Sequence, residues 1–264
     1  MTDRAAPAPT ASRDGTEPAT DRNDTIALVA RDVDHVYGDL RVLQGASLDV
    51  RTGAVTALVG PNGSGKTTLI RILAGLLDPT DGTVDYRGPD AARPIGYLPQ
   101  QPEFRPGFTA RETLAFYAKL AGSGDPDALL ERVGLEEAGE RRVEALSGGM
   151  RRLLGIAQAI VGDPPVVVLD EPASGLDPGM RAHVFDVAAE LATAQRAVLL
   201  SSHDLERVER RADHVALLDR GRIVQEGSPA TLCDRLNVES LYAVYDAVVA
   251  GERGTVRVGA GGSS

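Results

Sequence analysis

The chain has 264 residues, 42% of them apolar, one cysteine and a formal net charge of −10. That length suits one large α/β domain with a real core, and the charge argues against a protein that coats nucleic acid, which needs clustered cations. The lone Cys233 excludes an internal disulfide or a cysteine-held metal cluster, and no apolar run is long enough to span a bilayer.

Residues 1–24 are rich in Pro, Ala, Thr and Asp without apolar periodicity, and they read as a disordered tail. No charged-then-apolar leader pattern opens the chain, so it is expected to stay in the cytoplasm. From Thr25 come short β-type runs, IALVARDV, VLQGASLDV and VTALVG. The last runs into GPNGSGKT (60–67), and TTLIRILAGLL (67–77) then reads as a helix. GTVDY and PIGYLPQ follow as strands. Thr109 and Glu112 form a capping box that opens a helix with Leu114, Tyr117, Ala118 and Ala121 on one face. Asp125-Pro126 opens another, DALLERV, so 109–161 is expected to be an all-helical insertion. Within it LSGGMRRLLGIAQAI (146–160) has a serine and two glycines at a helix start, a second turn suited to an anion.

PPVVVLDEP suits a strand buried on both faces of a parallel sheet. A helix at 178–194, strand AVLLSS, a short helix at 204–211, and strands HVALLD and RGRIVQEG continue the alternation. Ser228-Pro229 caps a last core helix, and 237–252 carries Leu241, Tyr245 and Val248 at helical spacing.

The phosphate loop fits G-x-x-x-x-G-K-[ST], a pattern met by chance in roughly one chain in a hundred of this length, fewer with a strand before and a helix after. Its glycines let backbone N–H groups curl around an oxyanion, and the helix start adds its positive dipole end. Lys66 can reach β- and γ-phosphates, and the Thr67 hydroxyl can coordinate Mg²⁺. Only Lys66 and Lys119 stand against twenty-six arginines, so a lysine inside this loop is no accident of composition. The scarcity itself fits either an acidic high-salt protein or a GC-rich genome. Asp170 and Glu171 end a buried strand, where open parallel sheets bind ligands. Asp170 suits hydrated Mg²⁺, and Glu171 can polarise a water for in-line attack.

These motifs, in this order over about 25–237, resemble the nucleotide-binding subunit of the ATP-binding cassette (ABC) family. The resemblance implies an α/β fold: a P-loop NTPase (RecA-like) core with an antiparallel β subdomain and an inserted α-helical subdomain. Gly60, Pro61, Asn62, Gly63, Ser64, Gly65, Lys66, Thr67 and Thr68 resemble the Walker A loop. Tyr37 looks like the aromatic that stacks on adenine, although it also suits a plain strand position. Gln100 resembles the glutamine that touches Mg²⁺ and the attacking water, with Gln101 beside it leaving the register open by one. Ser147, Gly148 and Gly149 resemble the signature that binds the γ-phosphate of an ATP held by another subunit. Asp170 and Glu171 resemble the Walker B aspartate and catalytic glutamate, Asp177 ends the D-loop, and His203 resembles the switch histidine. Asp177 before Pro178 is also a sound helix cap.

The resemblance further implies ATP and Mg²⁺ as cofactors and a head-to-tail sandwich of two ATPase subunits, homodimer or heterodimer. A separate membrane permease would hold the chain at the inner face of the cell membrane; no nucleic acid is expected. The implied boundaries are a tail at 1–24, an ATPase domain at 25–236 with a helical subdomain inserted at about 104–162, and a C-terminal helix and flexible tail at 237–264. Met150 stands where glutamine is commoner, and SGGM with its arginine-rich turn resembles ABC-2-type exporters. The alternative is a soluble, non-transport ABC ATPase of the translation, repair or Fe–S assembly type, disfavoured by the single cassette, the lack of coiled coils and the acidity.

Overall fold

The computed structural model describes residues 25–250; both expected tails, at 1–24 and beyond 250, lie outside the described residues. The chain begins with β1 (Ile26–Tyr37) and β2 (Leu40–Arg51), paired antiparallel, then β3 (Val55–Val59) and α1 (Lys66–Leu73). β4 (Asp81–Tyr86) returns to β1, making a three-stranded antiparallel sheet in the order β2-β1-β4. β5 (Ile95–Leu98) then leads to α2 (Ala110–Ala121), α3 (Pro126–Arg132), two single turns at Glu136–Ala138 and Val143–Ala145, and α4 (Gly148–Ala159). The expected capping box is present: Thr109 Oγ1 accepts the Glu112 N–H at 3.1 Å while the Glu112 carboxylate accepts the Thr109 N–H at 2.9 Å.

β6 (Val166–Leu169), α5 (Pro178–Leu191), β7 (Ala197–Ser202), α6 (Leu205–Arg211), β8 (His214–Asp219), β9 (Arg222–Gly227), α7 (Pro229–Leu236) and α8 (Leu241–Tyr245) complete the described chain. The second sheet has the order β5-β6-β7-β3-β8-β9, parallel except for β9. No helix among the described residues is long and apolar enough to cross a membrane.

The continuous apolar runs of β3, β6, β7 and β8 are buried on both faces, as such runs must be in a parallel sheet. Alternate residues divide between two cores. Val59, Val167, Leu169, Leu200 and Leu217 face the core shared with the helices that follow β5, whereas Leu58, Val166, Val168, Leu199 and Leu218 face α1 and the antiparallel sheet. This three-layer build is the α/β class expected from the motifs.

Three element readings shift. The helix expected over 67–77 ends at Leu73, because Ala74 caps it and Gly75 turns the chain with φ 70°. The helix expected to 194 stops at Leu191, where Thr193 and Arg196 pair across a tight turn into β7. In the last helix the buried face is Leu241, Val244 and Val249, with Tyr245 and Val248 only half-buried. The backbone widens over Asp246–Ala250, and the longer turn rotates the apolar face off the 3.6-residue spacing.

Candidate functional site

Sheet register gathers the site. Val59 pairs with Ser202, Leu169 with Leu200, and Leu98 with Leu169, so the carboxyl ends of β3, β5, β6 and β7 share one edge. Each ends in a motif, as expected where ligands meet an open parallel sheet.

The loop after β3 is held by close approaches that need glycine. A Cβ on Gly60 would lie 2.1 Å from the Leu218 carbonyl oxygen, and one on Gly65 would lie 2.9 Å from Leu43 Cδ2. Gly65, at φ 106°, precedes the first turn of α1, where Lys66 begins the helix. The Lys66 ammonium donates back to the Gly60 and Pro61 carbonyls at 2.8 and 3.1 Å. Burial pushes its pKa down, and the nearby Glu171 and Asp170 carboxylates oppose that shift. Ser64 Oγ is buried without a partner. Asn62, Gly63 and Thr67 are exposed at the loop's outer rim, while Thr68 is buried beneath it.

Across β7 from the loop, Asp170 is fully buried. Its Oδ1 accepts from Ser201 Oγ at 2.8 Å and lies 3.4 Å from the Thr67 hydroxyl, while Oδ2 is buried without a partner. An orphaned carboxylate oxygen beside a hydroxyl is an oxygen donor set that fits a hard divalent cation. No cluster of three or more His, Cys, Asp or Glu that could hold a metal occurs among the described residues, so such an ion would have to take further oxygens from phosphate or water.

Glu171 adopts φ 48°, a left-handed conformation uncommon for a side chain this large, and donates its N–H to Ser201 Oγ at 2.8 Å. Its Oε2 meets His203 Nδ1 at 2.9 Å, the carboxylate being 10% and the imidazole 60% exposed. The acid therefore sits inside with its histidine at the mouth. Ser201 was not read as a site residue; its only sequence cue is a polar position in a buried strand end, AVLLSS.

Gln100 follows β5 with an exposed side chain, and the Asp170 N–H donates to the Leu98 carbonyl at 2.9 Å, which keeps the two strand ends together. The backbone carbonyl of Gln100 accepts from Arg152, a second residue the sequence did not single out. Thr67, Asp170, Ser201, Glu171 and His203 thus form one hydrogen-bonded constellation, with Lys66 next to Thr67 in the chain and Gln100 at its edge.

The signature turn stands apart from that constellation. Ser147 caps α4, accepting the Met150 N–H at 3.2 Å, and Ser147 and Gly148 are exposed. Gly149 is buried against Met180 of α5. Among the described residues no hydrogen bond or ion pair joins this turn to the phosphate loop. Asp177 caps α5 by accepting the Met180 N–H at 3.0 Å. Tyr37 ends β1, 46% exposed, its ring edge-on to His35 at 4.5 Å. A cavity of about 600 Å³ runs from Gly60 and His203 past Asp204 to Tyr242 and Tyr245 of the last helix.

Comparison with known proteins agrees with this geometry. A family model described as ABC transporter matches residues 43–174. The Nod factor export ATP-binding protein I of Cupriavidus metallidurans is 36% identical over 223 residues, 80% of this chain and 74% of its own. A daunorubicin resistance ATP-binding protein of Streptomyces coeruleorubidus is 37% identical over 217 residues, 77% of this chain and 67% of its own. Among solved structures, an ATP-binding subunit of an ABC transporter superposes with a TM-score of 0.73 at 28% identity, covering 83% of this chain and 98% of its own.

Proposed function

The chain belongs to the ABC transporter family as an ATP-binding subunit, and on that premise we propose that it hydrolyses ATP between two such subunits to drive a membrane exporter. The observation that carries the reading is the hydrogen-bonded chain from Thr67, beside Lys66, through Asp170, Ser201 and Glu171 to His203 at the end of one sheet. Export is supported by the export and resistance names of the relatives. The exposed Ser147 and Gly148, separate from the chain's own phosphate loop, support a role toward a neighbour's ATP. The partners proposed are a second ATPase subunit and a permease, with the helical segment between β5 and β6 facing the latter.

Each residue has a chemical task. Lys66 exchanges the Gly60 and Pro61 carbonyls for phosphate oxygens, and the loop N–H groups with the α1 dipole cradle the rest. Mg²⁺, held by the Thr67 hydroxyl, Asp170 through water and the Gln100 side chain, would supply charge neutralisation on the phosphate oxygens. Glu171 takes the proton of the attacking water, its carboxylate held by His203 and its backbone by Ser201. In the tautomer that carries its proton on Nδ1, His203 donates to the Glu171 carboxylate. Ser147, Gly148 and Gly149 offer a hydroxyl and helix-start N–H groups to a γ-phosphate presented by the neighbouring subunit. Tyr37 gives adenine a stacking face.

Glu171→Gln tests the reading. Turnover, followed by phosphate release, should fall by about 10²–10⁴-fold, the scale of a lost general base, while ATP binding persists and dimer accumulates on a sizing column. Normal turnover in that variant would falsify the assignment of Glu171. Recovery of the chain from detergent-solubilised cells without a stoichiometric multi-span membrane protein would overturn the transport reading.

A further inference from the structure

Arg152 lies in the second turn of α4, just before the buried Leu153 and Leu154, and is only 8% exposed. Burying a guanidinium costs several kcal/mol unless its donors are satisfied, and here the partners are backbone carbonyls of two separate segments. Nη1 donates to Gln100 O and, at 3.5 Å, to Pro99 O, while Nη2 reaches Ser174 O at 3.5 Å. Gln100 follows β5, and Ser174 lies in the turn between β6 and the Asp177 cap of α5. The Asp170 and Glu171 carboxylates offset part of the desolvation of this charge.

One planar fork therefore joins three elements with different duties in the proposed reaction: the Gln100 loop at the chain's own ATP, the helix that carries Ser147, and the turn leading to Asp177. α4 is an unbroken helix, so Arg152 sits roughly 7–8 Å along a rigid rod from Ser147. Displacement of the Gln100 carbonyl is felt at the signature turn without deformation in between. A lysine could hold only part of this link, since its single point charge can reach one of the two segments but lacks the fork that bonds both at once.

We propose that Arg152 is a positioning residue that couples the Gln100 loop to the signature turn, so that nucleotide in a subunit's own phosphate loop sets the posture of the Ser147 turn offered to its neighbour. The inference rests on the two-subunit reading above. It concerns transmission between sites, so it separates binding from turnover.

The test compares the parent chain with Arg152→Met, of similar length but without donors, and Arg152→Lys. With Arg152→Met, turnover at saturating Mg-ATP should fall about 10–100-fold, the usual scale for residues that orient a reacting shell. The Kd for a fluorescent ATP analogue on the isolated subunit should change less than about twofold, a difference well below one factor of ten or 1.4 kcal/mol. ATP-driven dimer should disappear when Arg152→Met is combined with Glu171→Gln, and Arg152→Lys should recover part of the turnover. Parent-like turnover in Arg152→Met, a Kd that weakens in step with turnover, or a lysine variant no better than methionine would overturn the proposal. Should Arg152→Met fail to melt cooperatively, Arg152→Lys decides alone: lowered turnover with unchanged Kd supports the coupling, and parent-like turnover refutes it. A parent chain that neither hydrolyses ATP nor dimerises as Glu171→Gln would instead defeat the function proposed above.

Discussion

Replacing Ser201 by alanine isolates the hydroxyl that holds the Asp170 carboxylate and the Glu171 backbone in place. Ser201 Oγ donates to Asp170 Oδ1 and accepts from the Glu171 N–H, each at 2.8 Å and in buried surroundings. A hydrogen bond to a charged group contributes about 1.5–3 kcal/mol, and an amide left buried without an acceptor costs about 1–3 kcal/mol. Partial relaxation brings the expected loss to about 2–4 kcal/mol, because neighbouring groups recover some of the desolvation. At about 2–4 °C per kcal/mol for a domain of this size, Tm should fall by roughly 5–15 °C. Turnover should fall by about 10–100-fold, as for other groups that orient reacting carboxylates. Ser202→Ala is the control: its hydroxyl accepts one neutral N–H, from Asp204 at 3.0 Å, and its loss should cost about 0.5–1.5 kcal/mol. The assay is a calorimetric melt of the full chain beside phosphate release. A Ser201→Ala melt no lower than that of Ser202→Ala, with turnover intact, would refute the reasoning.

Two further substitutions probe the surroundings. An added Cβ at Gly149 would stand 2.5 Å from Met180 Cγ, so Gly149→Ala should cost about 1–3 kcal/mol by overpacking. Met180→Ala in the same chain should return most of it in melts, and a double variant as unstable as Gly149→Ala alone rules out the clash. His214 is held below its ordinary pKa chiefly by burial, against the pull of Glu226. The unfolded chain therefore takes up a proton that the folded chain refuses, so stability is lost as pH falls below the ordinary value of about 6.5. His214→Gln should lose less Tm than the parent between pH 7.5 and 5.5; equal losses would show that other groups set the slope.

Residues with local signatures were legible in the chain. Asp177 could be read as a cap because its acceptor role is settled within three residues, and AVLLSS and HVALLD match their strands because burial on both faces requires continuous apolar runs. Gly60 and Lys66 declared themselves by spacing alone. Ser201 and Arg152 did not, since their partners lie about thirty and fifty residues away and are brought near only by sheet order. A serine in a strand or an arginine in a helix has no periodic mark that says it is buried. Leu241, Tyr245 and Val248 all meet the core as their spacing implies, whereas the widened turn at Asp246–Ala250, which brings Val249 to the buried face five residues after Val244, leaves no mark in local spacing.

The bonds from Lys66 to the Gly60 and Pro61 carbonyls make the loop its own competitor. A rival tethered this closely acts at a fixed effective concentration, on the order of millimolar or above, whatever the cell supplies. Apparent nucleotide affinity is then the intrinsic affinity scaled by the fraction of loops whose lysine is free. Displacing two carbonyls favours a ligand that bridges β- and γ-positions at once over a lone anion offering a single bond. When product departs, the ammonium has a seat to return to, so each cycle ends without a stranded buried charge.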